Sequence, residues 1–258
     1  MTLWVRRLIV ANVIVTLATL QSPFLWDLLV LAPGTLLFQP WTLVSHMFMH
    51  GGWLHILVNM IGLFFFGPRV ESWLGTRSFL SLYFGAGLAG AALALVAFPL
   101  APFGAMVGAS GAGLGVVIAF AVRWPDEKIY IYAILPVPAK WFAVGIIGWS
   151  LWAGITGAQM GVSHFGHLGG ALFGYGYLRY AAWKRGTAQR EFQRRLDPAA
   201  GQPKSASARK ARWESIDVEG LHELNRDEVR RLLEKVRVGG VDSLTAGERG
   251  FLERMAGT

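Results

Sequence analysis

The chain of 258 residues contains no cysteine. This absence excludes disulfides, thiolate metal sites and cysteine nucleophiles, and it leaves the redox compartment open. Charged side chains are also scarce over much of the sequence. Residues 1–183 hold eight Lys or Arg and four Asp or Glu, whereas residues 184–258 hold sixteen and twelve. We therefore expect a polytopic membrane domain in the first part and a water-exposed second part.

The net charge of +8 is shared equally between these two parts, so neither is a concentrated basic arm. A basic stripe interleaved with aromatic residues, which would indicate nucleic-acid binding, is missing from the membrane part. We expect no nucleic-acid partner. The first seven residues lack a signal-peptide cleavage pattern, and we expect the first apolar run to be retained.

Segments without Lys or Arg predict the number of membrane spans. Residues 8–68, 78–122 and 141–178 contain neither, and each is long enough for two helices of about 20 residues. The sequence thus predicts six spans, at residues 6–24, 53–70, 79–99, 107–124, 141–158 and 163–182. The basic residues between them fall on one side, which the positive-inside bias makes the cytoplasm, together with both termini.

Four polar side chains inside the predicted spans are candidates for function, because such groups are expensive at membrane depth. His55 and Asn59 are four residues apart and share one face of the second span. Ser110 opens the fourth span, and His167 lies one turn into the sixth. The predicted topology places all four toward the external leaflet.

Glycines explain how two of these side chains could meet. Small residues four apart allow helices to approach closely in a membrane, which could bring a serine oxygen and an imidazole nitrogen to about 3 Å. Such glycines follow Ser110 and surround His167: Gly111, Gly115, Gly166, Gly170 and Gly174.

This arrangement favours acyl transfer by a Ser/His dyad. A neutral His167 could remove the proton of Ser110 during attack on a carbonyl. Side chains of His55 and Asn59 and the backbone amide of Ser110 could donate to the resulting oxyanion. The acids of the membrane part lie in the first loop or on the cytoplasmic side, so we expect packing to orient the imidazole. These acids are Asp27, Glu71, Asp126 and Glu127.

Three motifs in this order resemble the rhomboid family of intramembrane serine proteases over residues 5–183. They are "HMFMHGGWLHILVNM" at 46–60, "GASG" at 108–111 and "GHLGGALFG" at 166–174. The resemblance implies an all-α membrane protein, a six-transmembrane-helix rhomboid-like bundle with a water-filled cavity open outward. We expect it in a bacterial plasma (inner) membrane.

The resemblance also implies roles for individual residues. Ser110 is the nucleophile, His167 is the general base, and His55 with Asn59 surrounds the oxyanion. His50 and Gly108 support the active site, and His46 matches a position linked to the first loop. No cofactor and no metal are implied.

The expected function is an intramembrane serine endopeptidase that cleaves transmembrane protein substrates in the lipid bilayer. One alternative is a rhomboid-like protein that binds transmembrane helices without cutting them. The other is a small-solute or metal transporter, suggested by His46, His50 and His55, although no carboxylate lies near these histidines in the sequence.

The second part divides again by composition. Residues 184–215 are rich in Ala, Ser, Pro and basic residues and predict a flexible basic linker. Residues 216–258 predict a small cytoplasmic helical hairpin, with capping boxes beginning at Asn225 and Thr245. This module resembles one appended to some bacterial rhomboids, and we expect an unknown cytoplasmic partner for it.

Overall fold

The computed structural model describes residues 1–102, 105–131, 134–157, 163–196 and 205–256, without the side chains of 188–196 and 224. The chain divides into two compact units, Met1–Trp183 and Lys184–Thr258. Residues 197–204 of the expected linker, residues 257–258 of the expected module and residue 158 of the expected fifth span lie outside the described residues.

Helices dominate the first unit, and at least one helix overlaps each of the six predicted spans. Over the described residues, three of these helices, at 3–21, 53–74 and 76–96, are long and apolar enough to cross a membrane. The structure therefore supports a helical membrane fold, with three spans by length and composition. The helices are α1 (Leu3–Gln21), α2 (Pro23–Leu29), α3 (Thr42–Ser45), α4 (Trp53–Leu74), α5 (Thr76–Val96), α6 (Ser110–Arg123), α7 (Ala139–Thr156) and α8 (His164–Leu196).

The first predicted span ends too late in the sequence. It was expected to reach residue 24, but α1 ends at Gln21 and α2 begins at Pro23. The Ser22 side chain caps α2 by accepting a hydrogen bond from the Leu25 amide at 3.3 Å. Pro23 has no amide hydrogen to continue α1 and fits the first turn of a new helix.

A two-stranded hairpin interrupts the otherwise helical unit and was not predicted. Strands β1 (Lys128–Ile131) and β2 (Leu135–Pro138) pair antiparallel between α6 and α7. The sequence carries a signal for it, since β-branched and aromatic residues alternate over residues 129–131 before a proline-rich return. The signal was not used because these residues lie in a short loop between two predicted spans.

Glu71 is a buried acid that ties α4 to its neighbours. Its carboxylate accepts one hydrogen bond from the Val5 amide in the first turn of α1, at 3.2 Å, and another from the Thr76 hydroxyl, at 3.1 Å. A first-turn amide has no partner within its own helix, and negative charge is favourable there. The acid therefore holds α1 and the α4–α5 turn in place.

The segment between α2 and α4 is fixed by side chains that bond to backbone. The Trp41 indole donates to the Leu28 carbonyl at 2.8 Å, and the Ser45 hydroxyl donates to the Leu29 carbonyl at 2.7 Å. A 3₁₀ helix then covers His46–Phe48. This anchoring matters for the site because His46 and His50 lie at the end of the segment.

Among the residues described in the second unit, three helices follow the end of α8 and contribute to a separate apolar core. They are α9 (Ala206–Glu214), α10 (Glu223–Gly239) and α11 (Ala246–Met255), with a 3₁₀ helix at Val241–Ser243. Trp213 of α9 is fully buried against α10 and α11 residues. Helix α9 therefore packs with the module, although the sequence places it in the linker, because a buried indole removes a large apolar area from water.

One of the two predicted capping boxes is confirmed and the other is wrong. The Thr245 hydroxyl accepts from the Glu248 amide at 3.2 Å, and the Glu248 carboxylate accepts from the Thr245 amide at 2.7 Å. Asn225 cannot cap α10, because that helix begins two residues earlier, at Glu223.

We expect the second unit to lose stability in acid through Glu248. Its carboxylate accepts from the Lys235 ammonium at 2.8 Å and from the Thr245 amide, which together lower its pKa to about 2 from an ordinary value of 4.5. Stability from a lowered pKa is present above the unfolded value and disappears as the pH falls through the folded one. Hydrogen exchange of residues 246–255 in the full chain should therefore accelerate between pH 4.5 and 2, beyond the intrinsic pH effect.

A Glu248→Gln variant supplies the control for this prediction. It should exchange faster than the wild type at pH 7, and the difference should vanish near pH 2. A difference that persists unchanged at pH 2 would contradict the assignment to this carboxylate.

Candidate active site

A glycine turn precedes the helix that carries Ser110. Gly108 has a φ of +118°, which side chains rarely adopt, and its amide donates to the His46 carbonyl at 2.9 Å. A Cβ on Gly108 would lie 2.7 Å from the His55 Nε2 atom. The turn therefore requires glycine both for its backbone conformation and for the space that His55 occupies.

Ser110 is the first residue of α6 and lies beside His167 of α8. The Ser110 Oγ atom is 2.8 Å from the His167 Nε2 atom. Both side chains are half-buried. The amide of Ser110 has no partner within α6, because the first turn of a helix leaves its amides free. Ser110 thus has a hydroxyl from which a base can remove a proton and a backbone amide that can donate a hydrogen bond to an anion.

Close backbone contact between α6 and α8 sets this distance. A Cβ on Gly174 would lie 2.8 Å from the Gly115 carbonyl oxygen, and a Cβ on Gly111 would lie 3.1 Å from the Gly166 carbonyl oxygen. A Cβ on Gly170 would collide with the Gly111 carbonyl oxygen. The glycines noted in the sequence therefore face one another across this helix pair, and larger side chains would separate it.

His55 presents its Nε2 atom toward the serine turn. The Gly51 amide donates to the His55 Nδ1 atom at 3.4 Å, so a neutral His55 carries its proton on Nε2. That N–H faces Gly108, two residues before Ser110. The geometry places a hydrogen-bond donor beside the turn that carries Ser110.

Asn59 does not join this group directly. Its side-chain amide donates to the His55 carbonyl, four residues earlier in α4, at 2.9 Å. Within the part of the chain that the structure describes, no hydrogen bond links Asn59 to Ser110 or His167. One amide hydrogen is thus used by its own helix, and the second remains available for another acceptor.

His50 bridges α1 and the serine turn without touching Ser110. It is fully buried, with Nδ1 at 3.0 Å from the Thr16 hydroxyl oxygen, and its Nε2 accepts from the Ala109 amide at 3.4 Å. Thr16 in turn donates to the Phe48 carbonyl at 3.2 Å. His50 therefore supports the turn through its backbone.

His46 is also buried and faces its own segment of the first loop. Its Nδ1 atom lies 2.8 Å from the Thr42 carbonyl oxygen. No group of three His, Cys, Asp or Glu side chains that could hold a metal ion occurs among the residues described.

Sequence reasoning missed one polar neighbour of His167. The Ser150 Oγ atom on α7 lies 3.5 Å from the His167 Nδ1 atom. The sequence led us to expect an imidazole oriented by packing alone. The available signal was a hydroxyl side chain in the middle of an apolar helix, where polar residues are expensive.

Two apolar helices of the membrane unit bring a serine and a histidine into hydrogen-bond contact. Serine hydrolases use the same pair of side chains. A model of the rhomboid domain matches residues 37–184, more than half of the chain. The chain belongs to the rhomboid family.

Curated relatives agree with this membership. Rhomboid protein 1, mitochondrial, of Saccharomyces cerevisiae is 32% identical over 164 residues, covering 61% of this chain and 46% of the relative. Presenilin-associated rhomboid-like protein A, mitochondrial, of Danio rerio is 35% identical over 144 residues, or 54% and 37% of the two chains. Rhomboid-like protease 3 of Toxoplasma gondii is 32% identical over 153 residues, or 58% and 54%. The chain thus aligns with about half or less of each relative.

Proposed function

We propose that this protein is an intramembrane serine endopeptidase that works through a Ser110–His167 dyad. The observation that carries the proposal is the 2.8 Å distance between the Ser110 Oγ atom and the His167 Nε2 atom. Membership of the rhomboid family supports it, and so does the donor at His55 beside the serine turn. Neither a metal nor a cofactor takes part in the proposed chemistry.

The reaction begins with the proton of Ser110. His167 Nε2 accepts that proton while Oγ bonds to the carbonyl carbon of the substrate, which forms a tetrahedral oxyanion. The oxyanion accepts from the Ser110 amide and from the Nε2–H of His55, and we propose the free amide hydrogen of Asn59 as a third donor. The positive end of α6 also favours negative charge there.

Collapse of this intermediate breaks the peptide bond. The imidazolium of His167 gives its proton to the leaving amine, and the acyl group remains on Ser110. A water molecule then gives a proton to His167 as its oxygen bonds to the ester carbon. The bond from that carbon to the Ser110 oxygen breaks, His167 returns the proton to this oxygen, and the acid is released. The membrane site must therefore admit water.

We propose transmembrane segments of other membrane proteins as substrates. A helix keeps its carbonyls in hydrogen bonds, so the scissile bond becomes accessible only where the segment unwinds locally. Segments with small or helix-breaking residues near the cut are expected to be cleaved preferentially.

For the topology we propose six spans with both termini on the positively charged side. Helix α6 has 14 residues and would extend about 21 Å, less than the apolar core of about 30 Å, so it would be buried among its neighbours. The compartment is a bacterial plasma membrane, as expected from the sequence, or a mitochondrial membrane, as the names of two relatives suggest. Fractionation of cells that express the protein distinguishes them.

Labelling with a fluorophosphonate tests the proposed function directly. Such a probe phosphonylates a serine only when a base activates it. We expect stoichiometric labelling of Ser110 in the detergent-solubilised full chain, located by peptide mass spectrometry. A protein that binds transmembrane helices without cutting them would stay unlabelled, and transport by a solute carrier would survive the loss of Ser110.

A further inference from the structure

Ser150 is a buried hydroxyl in the middle of α7, between apolar neighbours. Only 1% of the residue is exposed. A polar group buried in a membrane protein destabilises the fold unless it finds a hydrogen-bond partner. Over the described residues, the partner of its Oγ atom is the His167 Nδ1 atom, at 3.5 Å.

The two nitrogens of His167 therefore face two different serines. Nε2 lies 2.8 Å from Ser110, and it must carry a lone pair to accept the proton of that hydroxyl. In a neutral imidazole the hydrogen then sits on Nδ1. An Nδ1–H directed at the Ser150 oxygen fixes this tautomer and the plane of the ring.

We infer that Ser150 is a positioning residue, which holds His167 in the tautomer and orientation that let its Nε2 atom serve as the base for Ser110. The inference rests on the proposed function. Ser150 would act through His167 and would touch neither the substrate nor the reacting atoms.

Three of the four acids of the first unit have other hydrogen-bond or ion-pair partners. None of these three competes with Ser150 for this role. Glu71 binds the Val5 amide and Thr76, Asp126 pairs with Lys140 at 2.6 Å, and Glu127 pairs with Arg69 at 2.9 Å. The fourth acid, Asp27, lies in α2. A hydroxyl thus takes the position that a carboxylate holds in a Ser-His-Asp triad.

Among the described residues, two titratable side chains near His167 are histidines. The His164 ring lies 6.0 Å away, edge to face, and His55 lies beside the serine turn. The separation of 3.5 Å from Ser150 is long for a hydrogen bond, and such contacts often tighten only when the substrate is bound. The bond is expected to strengthen when His167 becomes an imidazolium, because a charged donor makes a stronger hydrogen bond.

A matched pair of variants tests the role of the hydroxyl. Threonine and valine have nearly the same shape, but only threonine keeps the oxygen, so we compare Ser150→Thr with Ser150→Val and add Ser150→Ala. Thr156→Val is the control on the same helix, because the Thr156 hydroxyl donates to the Trp152 carbonyl of its own helix, at 2.8 Å. The full chain is measured in liposomes with a transmembrane model substrate.

We expect Ser150→Ala and Ser150→Val to lower kcat about threefold to tenfold with KM unchanged, as fits one neutral hydrogen bond. The rate of fluorophosphonate labelling of Ser110 should fall by the same factor. Ser150→Thr should stay within about twofold of the wild type, and Thr156→Val should match it. The melting temperature in detergent shows which variants fold. If the larger side chains of threonine and valine do not fit, Ser150→Ala decides the result, because it only deletes an oxygen.

Two results would overturn the inference and leave the proposed function intact. One is an equal kcat for Ser150→Thr and Ser150→Val, and the other is a wild-type kcat for Ser150→Ala, each with Ser110 still labelled. A wild type whose Ser110 is not labelled at all would instead refute the proposed function, and the positioning role with it.

Discussion

Replacing Ser110 with alanine is expected to abolish cleavage of a transmembrane substrate, with a loss of at least about 10³-fold, because the nucleophile is removed and water must replace it. The fold should persist. The variant loses the hydrogen bond to His167, which is worth about 1 kcal/mol, and leaves no large cavity in a half-buried position. Product formation in liposomes and the melting temperature in detergent measure the two effects separately.

Two further variants make this result specific. His167→Ala should lose cleavage to a similar extent, since a nucleophile and its base act as a unit. Ser72→Ala removes an exposed serine hydroxyl from α4 and should cleave like the wild type. Equal amounts of product from the wild type and from the Ser110 and His167 variants would end the protease proposal.

Gly170→Ala is expected to reduce cleavage by at least about 10²-fold, because a misplacement of about 1 Å at a catalytic group has that effect. The new Cβ would collide with the Gly111 carbonyl oxygen and would lie 2.7 Å from the carbonyl carbon. Backbone cannot rotate away as a side chain can, so α6 and α8 must move apart. Their separation carries Ser110 away from His167.

Gly176→Ala is the matched control on the same helix. A Cβ there meets nothing within 4 Å, and alanine favours a helix over glycine by up to about 1 kcal/mol. We expect wild-type cleavage and an unchanged or higher melting temperature. Wild-type activity in Gly170→Ala would show that the close contact does not set the geometry of the dyad.

The sequence by itself indicates a membrane part and singles out the two residues of the proposed dyad. The scarcity of charge up to Trp183 predicts a membrane unit, because each charged side chain in a span is expensive. Ser110 and His167 could be singled out because polar side chains are expensive in apolar helices and regularly spaced glycines, which allow close helix contact, lie beside both. The capping box at Thr245 is equally local and was predicted for that reason.

Relations between helices were decided only by the tertiary structure. The sequence could not reveal that Ser150 lies behind His167, that His50 reaches both Thr16 and the Ala109 amide, or that Asn59 bonds to its own helix. Periodicity indicates which residues share one face of a helix. The neighbour of that face depends on the distance and rotation between helices, and these are set by packing along the whole length of both.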